Sequence, residues 1–492
     1  MRFQLPVLAL CFLLLGASPS NGQASLEPCG TSPELSEILA RYHNNPGQYA
    51  RLEGIVQVPL TIYILGESNG SGYFSIHRLM DAFCTLNRDF EPTGIQFYIL
   101  GEINYINNSA WYAHPGFQAG AEMMAAHRVE NTLNCYIVED PAGNCGYASS
   151  NGAALAKSCL FPDDHTWAHE IGHMLGLPHP FLGWEGYEHP YATPAPAFIN
   201  NRPVEKTDGS NCYVAGDRFC DTSPDYLNFR WSCNEDSESY QLQTDPDGVN
   251  FRSDGTLIMS YSNDECANRF SEEQISAMQF SLQDFWAGLA FGQDLPGDIP
   301  GAQITLTAPV GGASVPGDAE VTLSWEPVPN ATQYIVEVSR LPEISFTVAQ
   351  VITPTNSAVI TGLPANKEYF WRVRPYNARY TCTDFSSVES FSTDALSSVA
   401  QPELLSSIEL HPNPLPSGQA LTATINARQR LKAGIRLFTA TGVTVMDWGQ
   451  YQIEEGEQQI ELPGGSLPGG LYLLEIATPR GKAVKKVAIG VF

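Results

Sequence analysis

The sequence predicts an α+β unit built on a mixed sheet, followed by two all-β sandwiches. Three observations predict this order. At 492 residues the chain is too long for one ordinary domain. Its acidity is lopsided: Ser25 to Pro300 holds 12 Lys+Arg against 36 Asp+Glu, a balance of 12 − 36 = −24, whereas Gln401 to the end holds 8 of each. Strand and helix patterns alternate before about residue 290, and short strand patterns broken by turns follow it.

The elements follow in order. Arg2, the apolar run Leu5 to Leu15 and the small-x-small site Gly22-Gln23-Ala24 read as a signal peptide over 1–24. The run is too short to cross a bilayer core of ~30 Å as a helix. No other segment approaches the ~18 apolar residues of a membrane helix, so no transmembrane segment is expected. Residues 25–53 are polar, lack strand periodicity and read as a short pro-segment. The β-branched run Val56 to Leu65 reads as a buried strand, and Ile76, Leu79, Met80, Phe83 and Leu86 recur at helical spacing. Ile95 to Leu100 and Asn134 to Val138 read as two more strands, and this order suggests a mixed sheet with a helix packed on it.

After Pro162, Asp163 and Asp164 are expected to open a helix, because its dipole favours acids at that end. Trp167, Ile171, Met174 and Leu175 form its apolar stripe, and Gly176 stops it. Residues 180–256, rich in Pro, Gly, Asn and Asp, are expected to be irregular and held by disulfides and ions. Ser271 to Leu289 reads as a closing helix and Asp294 to Gly301 as a linker, which bounds the first domain at 54–300.

The formal net charge of −27 argues against nucleic acid as a partner, because phosphates need a basic surface. Without the signal peptide ten cysteines remain, and eight of them (Cys84, Cys135, Cys145, Cys159, Cys212, Cys220, Cys233 and Cys266) lie in the acidic unit. An even set in an exported chain suggests disulfides among its members, with Cys29 and Cys382 left outside.

Residues 169–179 read HEIGHMLGLPH. His169 and His173, four apart on a helix, present both imidazoles to one ion. His165 cannot join them: three histidines along one face span about 12 Å at ~1.5 Å per residue. It is expected to be a partly exposed helix residue. The third ligand comes from beyond the reversal at Gly176, as His179. Three histidines leave a zinc position open for water, and Glu170, not spent as a ligand, is placed to take a proton from it.

This string resembles the HExxHxxGxxH signature of the metzincins, zinc peptidases with a methionine turn beneath the metal. Thr256-Leu257-Ile258-Met259-Ser260-Tyr261 is similar to that turn, which implies Met259 as the apolar floor and Tyr261 as a stabiliser of the tetrahedral intermediate. Within the metzincins the likeness is to the pappalysin family, ulilysin-like enzymes included. It is carried by HEIGHMLGLPH, Gly216-Asp217-Arg218-Phe219-Cys220-Asp221-Thr222 and Met259-Ser260-Tyr261-Ser262-Asn263-Asp264-Glu265-Cys266, and covers roughly 54–290. The family binds structural calcium near the second stretch, which makes Asp217, Asp221 and Thr222 candidate ligands beside an ordinary acidic loop. The resemblance also implies a Cys233–Cys266 bridge. The chain departs from the family at Cys220 and at Ser223 before Pro224, so Cys212–Cys220 is one pairing among several.

About 302–396 has short alternating strands and resembles a fibronectin type III domain, through Trp325, Leu363-Pro364, Tyr369 and Trp371-Arg372-Val373. Residues 402–492 resemble a type IX secretion sorting domain, through His411-Pro412-Asn413-Pro414, Gly470-Leu471-Tyr472 and Lys482, Lys485 and Lys486. This implies that the type IX machinery is a partner, and that the protein is secreted from, or sits on the surface of, a Gram-negative bacterium. The expectation is thus a zinc endopeptidase acting on proteins or peptides. The alternative is a surface adhesin whose protease-like module is inert. Two roles for Cys29 stay open. It blocks the zinc until cleavage near Arg41 or Arg51, as in some pappalysin-like zymogens, or it bonds Cys382.

Overall fold

Val56–Gly66 forms the central strand β1, and every residue from Val58 on is buried. A strand covered by helices on both faces reads as a continuous apolar run, which is why the pattern here does not alternate. A computed structural model describes residues 26–32, 36–44, 51–289, 294–301, 304–316, 320–394, 404–416, 418–439, 443–465 and 467–490. The expected signal peptide lies outside the described residues.

The chain divides into two compact units, one of Met1–Ile299 with Tyr376–Thr383 and one of Pro300–Pro375 with Asp384–Phe492. In the first, α1 (Glu37–Asn44) precedes β1. Then come α2 (Ile76–Phe90), β2 (Ile95–Ile99), β3 (Asn104–Asn107), α3 (Phe117–His127), β4 (Leu133–Val138), β5 (Gly146–Ser149), β6 (Gly152–Ala156), α4 (Thr166–Met174) and α5 (Glu272–Asp284). The sheet runs β2–β1–β4–β6–β5, with β3 also on β1. All its pairings are parallel except that of the edge strand β5 with β6.

Successive strand residues face opposite layers. Tyr136 and Val138 pack with Met123 and Met124 of α3. Cys135, between Tyr136 and the start of the strand, faces α4 instead and accepts a 3.3 Å hydrogen bond from Trp167 Nε1. Trp167 meets Phe83 of α2 edge to face, ring centroids 5.8 Å apart.

Several expectations are corrected. The active helix begins at Thr166, because Asp163 takes φ +63 and the Asp164 side chain accepts the Thr166 N–H at 2.9 Å. The hairpin of β5 and β6 carries short, small residues (GYAS, GAALA) and gave no alternation signal. The polar segment before β1, for which no helix was expected, contains α1. The closing helix ends at Asp284, well before Leu289.

The cysteines also differ from the expected set. Among the described residues the bridges are Cys84–Cys382, Cys145–Cys159, Cys212–Cys220 and Cys233–Cys266, with Cys29 and Cys135 free. Cys135 is fully buried mid-strand, where a thiol packs as a small apolar group. Cys382 belongs to the loop Tyr376–Thr383, which joins the first unit beyond the expected boundary at 300. There Thr381 Oγ1 donates to Met80 O at 3.0 Å and Ile99 N donates to Ala378 O at 2.7 Å.

In the second unit a three-stranded and a five-stranded sheet enclose Trp325, Val336, Tyr369, Trp371 and Phe391. Tyr369 OH donates to Pro364 O at 3.0 Å. A further pair of three- and four-stranded sheets spans Leu405 to Ile489 around its own aliphatic core. The whole is an α+β chain, rich in strands and poor in helices. Among the described residues no helix is long and apolar enough to cross a membrane.

Candidate metal centre and catalytic cleft

Two glycines shape the active helix and its exit. At Gly172 a Cβ would stand 2.4 Å from Met259 Sδ, so the fully buried methionine packs directly on the helix backbone. At Gly176 φ is +99, the left-handed region that L side chains rarely adopt, and the chain reverses there. His179 thereby returns to the ring edges of His169 and His173.

The three Nε2 atoms lie 3.1 Å (His169–His173), 3.0 Å (His173–His179) and 3.2 Å (His169–His179) apart. His169 Nδ1 donates to Ile258 O at 2.8 Å and His173 Nδ1 to Leu177 O at 2.7 Å. A carbonyl can only accept, so in both rings the proton is on Nδ1 and the Nε2 lone pair is free. Glu185 Oε1 stands 3.5 Å from His179 Nδ1. Burial holds the His169 pKa down at about 4 and those of His173 and His179 well below the ordinary value, so the imidazoles are neutral.

The free Nε2 lone pairs of His169 and His173 point at one another and at His179 Nε2, an arrangement that a cation between them stabilises. The spacing suits one: a tetrahedral zinc with ~2.05 Å Zn–N bonds sets its nitrogens about 3.3 Å apart. Cys29 Sγ lies 3.6 Å from His173 Nε2, close to the ~3.6 Å expected between a thiolate and an imidazole on the same ion. These four ligand atoms all fall within 4.8 Å of one another. Cys29 does not bond Cys382, whose partner is Cys84.

Glu170 is fully buried, and burial raises its pKa to about 8. Its Oε2 accepts from Thr31 Oγ1 at 3.0 Å, while Oε1 has no hydrogen-bond partner among the described residues. A Cβ at Gly146 would lie 2.8 Å from Oε1, so the edge strand leaves room for this carboxylate only by being glycine there. Tyr261 is nearly buried; burial pushes its pKa up and keeps it a donor, and its OH donates to Cys29 O at 3.2 Å. Ile258, whose carbonyl fixes His169, sits in the same turn as Met259 and Tyr261.

Of the three calcium candidates, Asp217 and Thr222 meet: Thr222 Oγ1 donates to Asp217 Oδ1 at 2.9 Å. Asp217 Oδ2 is buried, with no hydrogen-bond partner among the described residues. Asp221 is turned to the start of α5, where it accepts from Ser271 Oγ at 2.7 Å and Glu273 N at 2.8 Å. His165 is held away from the imidazoles, its Nδ1 2.9 Å from Asp89 Oδ2; it is partly exposed as expected, but it caps the helix rather than lying within it.

No family model matches the chain. Extracellular metalloprotease 1 of Coccidioides posadasii is 25% identical over 315 residues, 58% of this chain and 100% of that protein. The extracellular metalloprotease of Colletotrichum graminicola is 26% identical over 236 residues, 42% of this chain and 80% of that one. Among solved structures, a point mutant of Tannerella forsythia promirolysin has 15% identity and a TM-score of 0.39, covering 53% of this chain and 96% of its own.

The sequence reading missed four participants: Thr31, Gly146, Glu185 and Glu205. A Cβ on Gly216 would fall 2.3 Å from Glu205 Oε2, and this buried carboxylate is raised to about 10, by burial first and then by Asp217 and Asp225. Only Thr31 had a signal, its place beside Cys29 in Cys-Gly-Thr.

Proposed function

We propose that the chain is an exported zinc endopeptidase of the pappalysin type, kept latent by its N-terminal segment. The observation that carries this reading is the convergence of the Nε2 atoms of three neutral imidazoles beside the buried carboxylate of Glu170. Relatives named extracellular metalloproteases support the same activity, proteins or peptides being the substrates. Zinc, when bound by His169, His173 and His179, would supply a Lewis acid for the peptide carbonyl and acidify a water.

This chain's residues divide the remaining work. Glu170 takes the proton of the attacking water and passes it to the leaving amine, which suits a carboxylate whose burial raises its basicity. Tyr261 donates its OH to the carbonyl oxygen as negative charge develops there. Met259 floors the imidazoles without competing for the ion. A calcium at Asp217 and Thr222 is supported by the partnerless Asp217 Oδ2 and the adjacent Glu205. Residues 302–396 are read as a fibronectin type III spacer and 402–492 as a type IX sorting domain for passage across a Gram-negative outer membrane.

Glu170→Ala tests the reading. The three imidazoles remain, so zinc content should stay near one per chain while casein turnover by the processed enzyme falls by a factor of about 100 or more. Near-normal turnover by the zinc-bound variant would remove Glu170 from its role.

A further inference from the structure

Residues 26–32 of the N-terminal segment do more than bring a thiol near three histidines. Glu27 N donates to Gly143 O at 2.9 Å, Cys145 N to Glu27 O at 2.6 Å and Gly30 N to Gly146 O at 2.8 Å, so the segment lies along the edge strand β5. The bridge between Glu27 and Asn144 is parallel. Pro28 lines the groove on the His169 side, and Thr31, Ser32 and Ser36 line the one on the His173 side. Within three residues every catalytic group proposed above is engaged. Cys29 Sγ faces the imidazoles, Cys29 O takes the Tyr261 hydroxyl, and Thr31 Oγ1 donates to Glu170 while accepting the Ala148 N–H at 2.8 Å.

We infer that Thr31 is a second lock beside the Cys29 thiol, to whose Sγ its N–H donates at 3.2 Å, and that its hydroxyl ties Glu170 to the edge strand and withholds the proton acceptor from water. A hydroxyl uses one proton and two lone pairs, and here the proton goes to the carboxylate while a lone pair takes the edge amide. Removing the thiol leaves both contacts in place. The inference rests on the peptidase reading and names the regulation of the same site.

The full-length zymogen and its Cys29→Ala, Thr31→Val, Thr31→Ser and double Cys29→Ala/Thr31→Val forms test it. Peptide hydrolysis is measured before and after proteolytic removal of the segment. In metal-stripped protein, the rate of iodoacetamide alkylation at Cys29 is read by peptide mapping. Because one buried hydrogen bond changes an equilibrium by up to about tenfold, Cys29→Ala should hydrolyse peptide clearly below the processed rate, down to roughly a tenth of it, and the double variant should approach that rate. Thr31→Val, which keeps the shape, should speed Cys29 alkylation about tenfold, and Thr31→Ser should restore the slow rate. Full activity of Cys29→Ala alone, or alkylation unchanged in Thr31→Val, overturns the second lock. A processed enzyme with no activity in any form would sink the peptidase reading instead, while the alkylation comparison would still judge Thr31.

Discussion

Asp225 shows how a residue remote from the imidazoles governs the cleft. Its carboxylate is buried and accepts three hydrogen bonds, from Leu227 N at 3.0 Å, Ser253 Oγ at 2.6 Å and Ser260 Oγ at 2.6 Å. Ser260 lies between Met259 and Tyr261, so Asp225 holds the turn that carries both. Asp225→Asn swaps one acceptor oxygen for an NH2 donor facing donors, which should cost about 1–3 kcal/mol. Thermal unfolding should fall by several degrees, and kcat should drop more than KM rises as Tyr261 loses its place. An unfolding temperature within a degree of the parent would show that the carboxylate does not hold the turn. At this scale the sequence was most legible where chemistry fixes residue type and spacing, as in His169, Glu170, His173 and His179. Asp225, Glu205 and Glu185 were not legible, because their meaning comes from contacts tens of residues away.

The elements teach a different lesson. β1, α2, β2 and β4 were readable because each carries an unbroken or helically spaced apolar pattern long enough to exclude its rivals. The edge hairpin of β5 and β6 was not, although it is the strand nearest Glu170: its glycines and alanines are chosen for close approach, not for a buried stripe. Helix α1 escaped for a similar reason, since eight residues with two buried side chains, Ile38 and Leu39, make a weak periodic signal. That helix also bears on processing. Both arginines are paired, Arg41 with Asp284 and Glu37 and Arg51 with Glu272, but Arg41 lies within the helix and Arg51 in a stretch without regular secondary structure, which makes the backbone at Arg51 the more accessible of the two expected cleavage points.

The reversal after α4 gives an element-level test. Gly176→Ala meets two penalties: a left-handed φ for a residue with a side chain, and a Cβ 2.8 Å from Ile38 Cγ2 of α1. The first persists in the processed enzyme and should cost about 1–2 kcal/mol. The second exists only while the N-terminal segment is docked. The zymogen should therefore lose more unfolding temperature than the processed form, and its Cys29 should become easier to alkylate. Equal losses in both forms would show that Ile38 does not seat on that turn.

On the scale of the molecule, the charge is concentrated where the catalytic groups are. The −24 of residues 25–300 accounts for most of the chain's −27, and the last 92 residues (401–492) are balanced at 8 of each sign. Every residue assigned a catalytic or metal-binding role belongs to the first compact unit, and so does Cys382, brought in by the loop Tyr376–Thr383 and bonded to Cys84. The catalytic unit therefore depends on sequence that the linear reading gave to the first sandwich, and a truncation ending at about residue 300 would delete that bridge. A truncation at 402 deletes none of these contacts, because the strands from Leu405 to Ile489 close around a core of their own. Removing 402–492 should leave casein turnover of the processed enzyme within about twofold and its unfolding little changed, as expected for a module with a separate core. If that module is the sorting signal, the same truncation should leave the protein behind the outer membrane of its host, scored by comparing periplasm and medium. Efficient appearance of the truncated chain in the medium would reject the sorting role, and loss of turnover would reject the independence of the two cores.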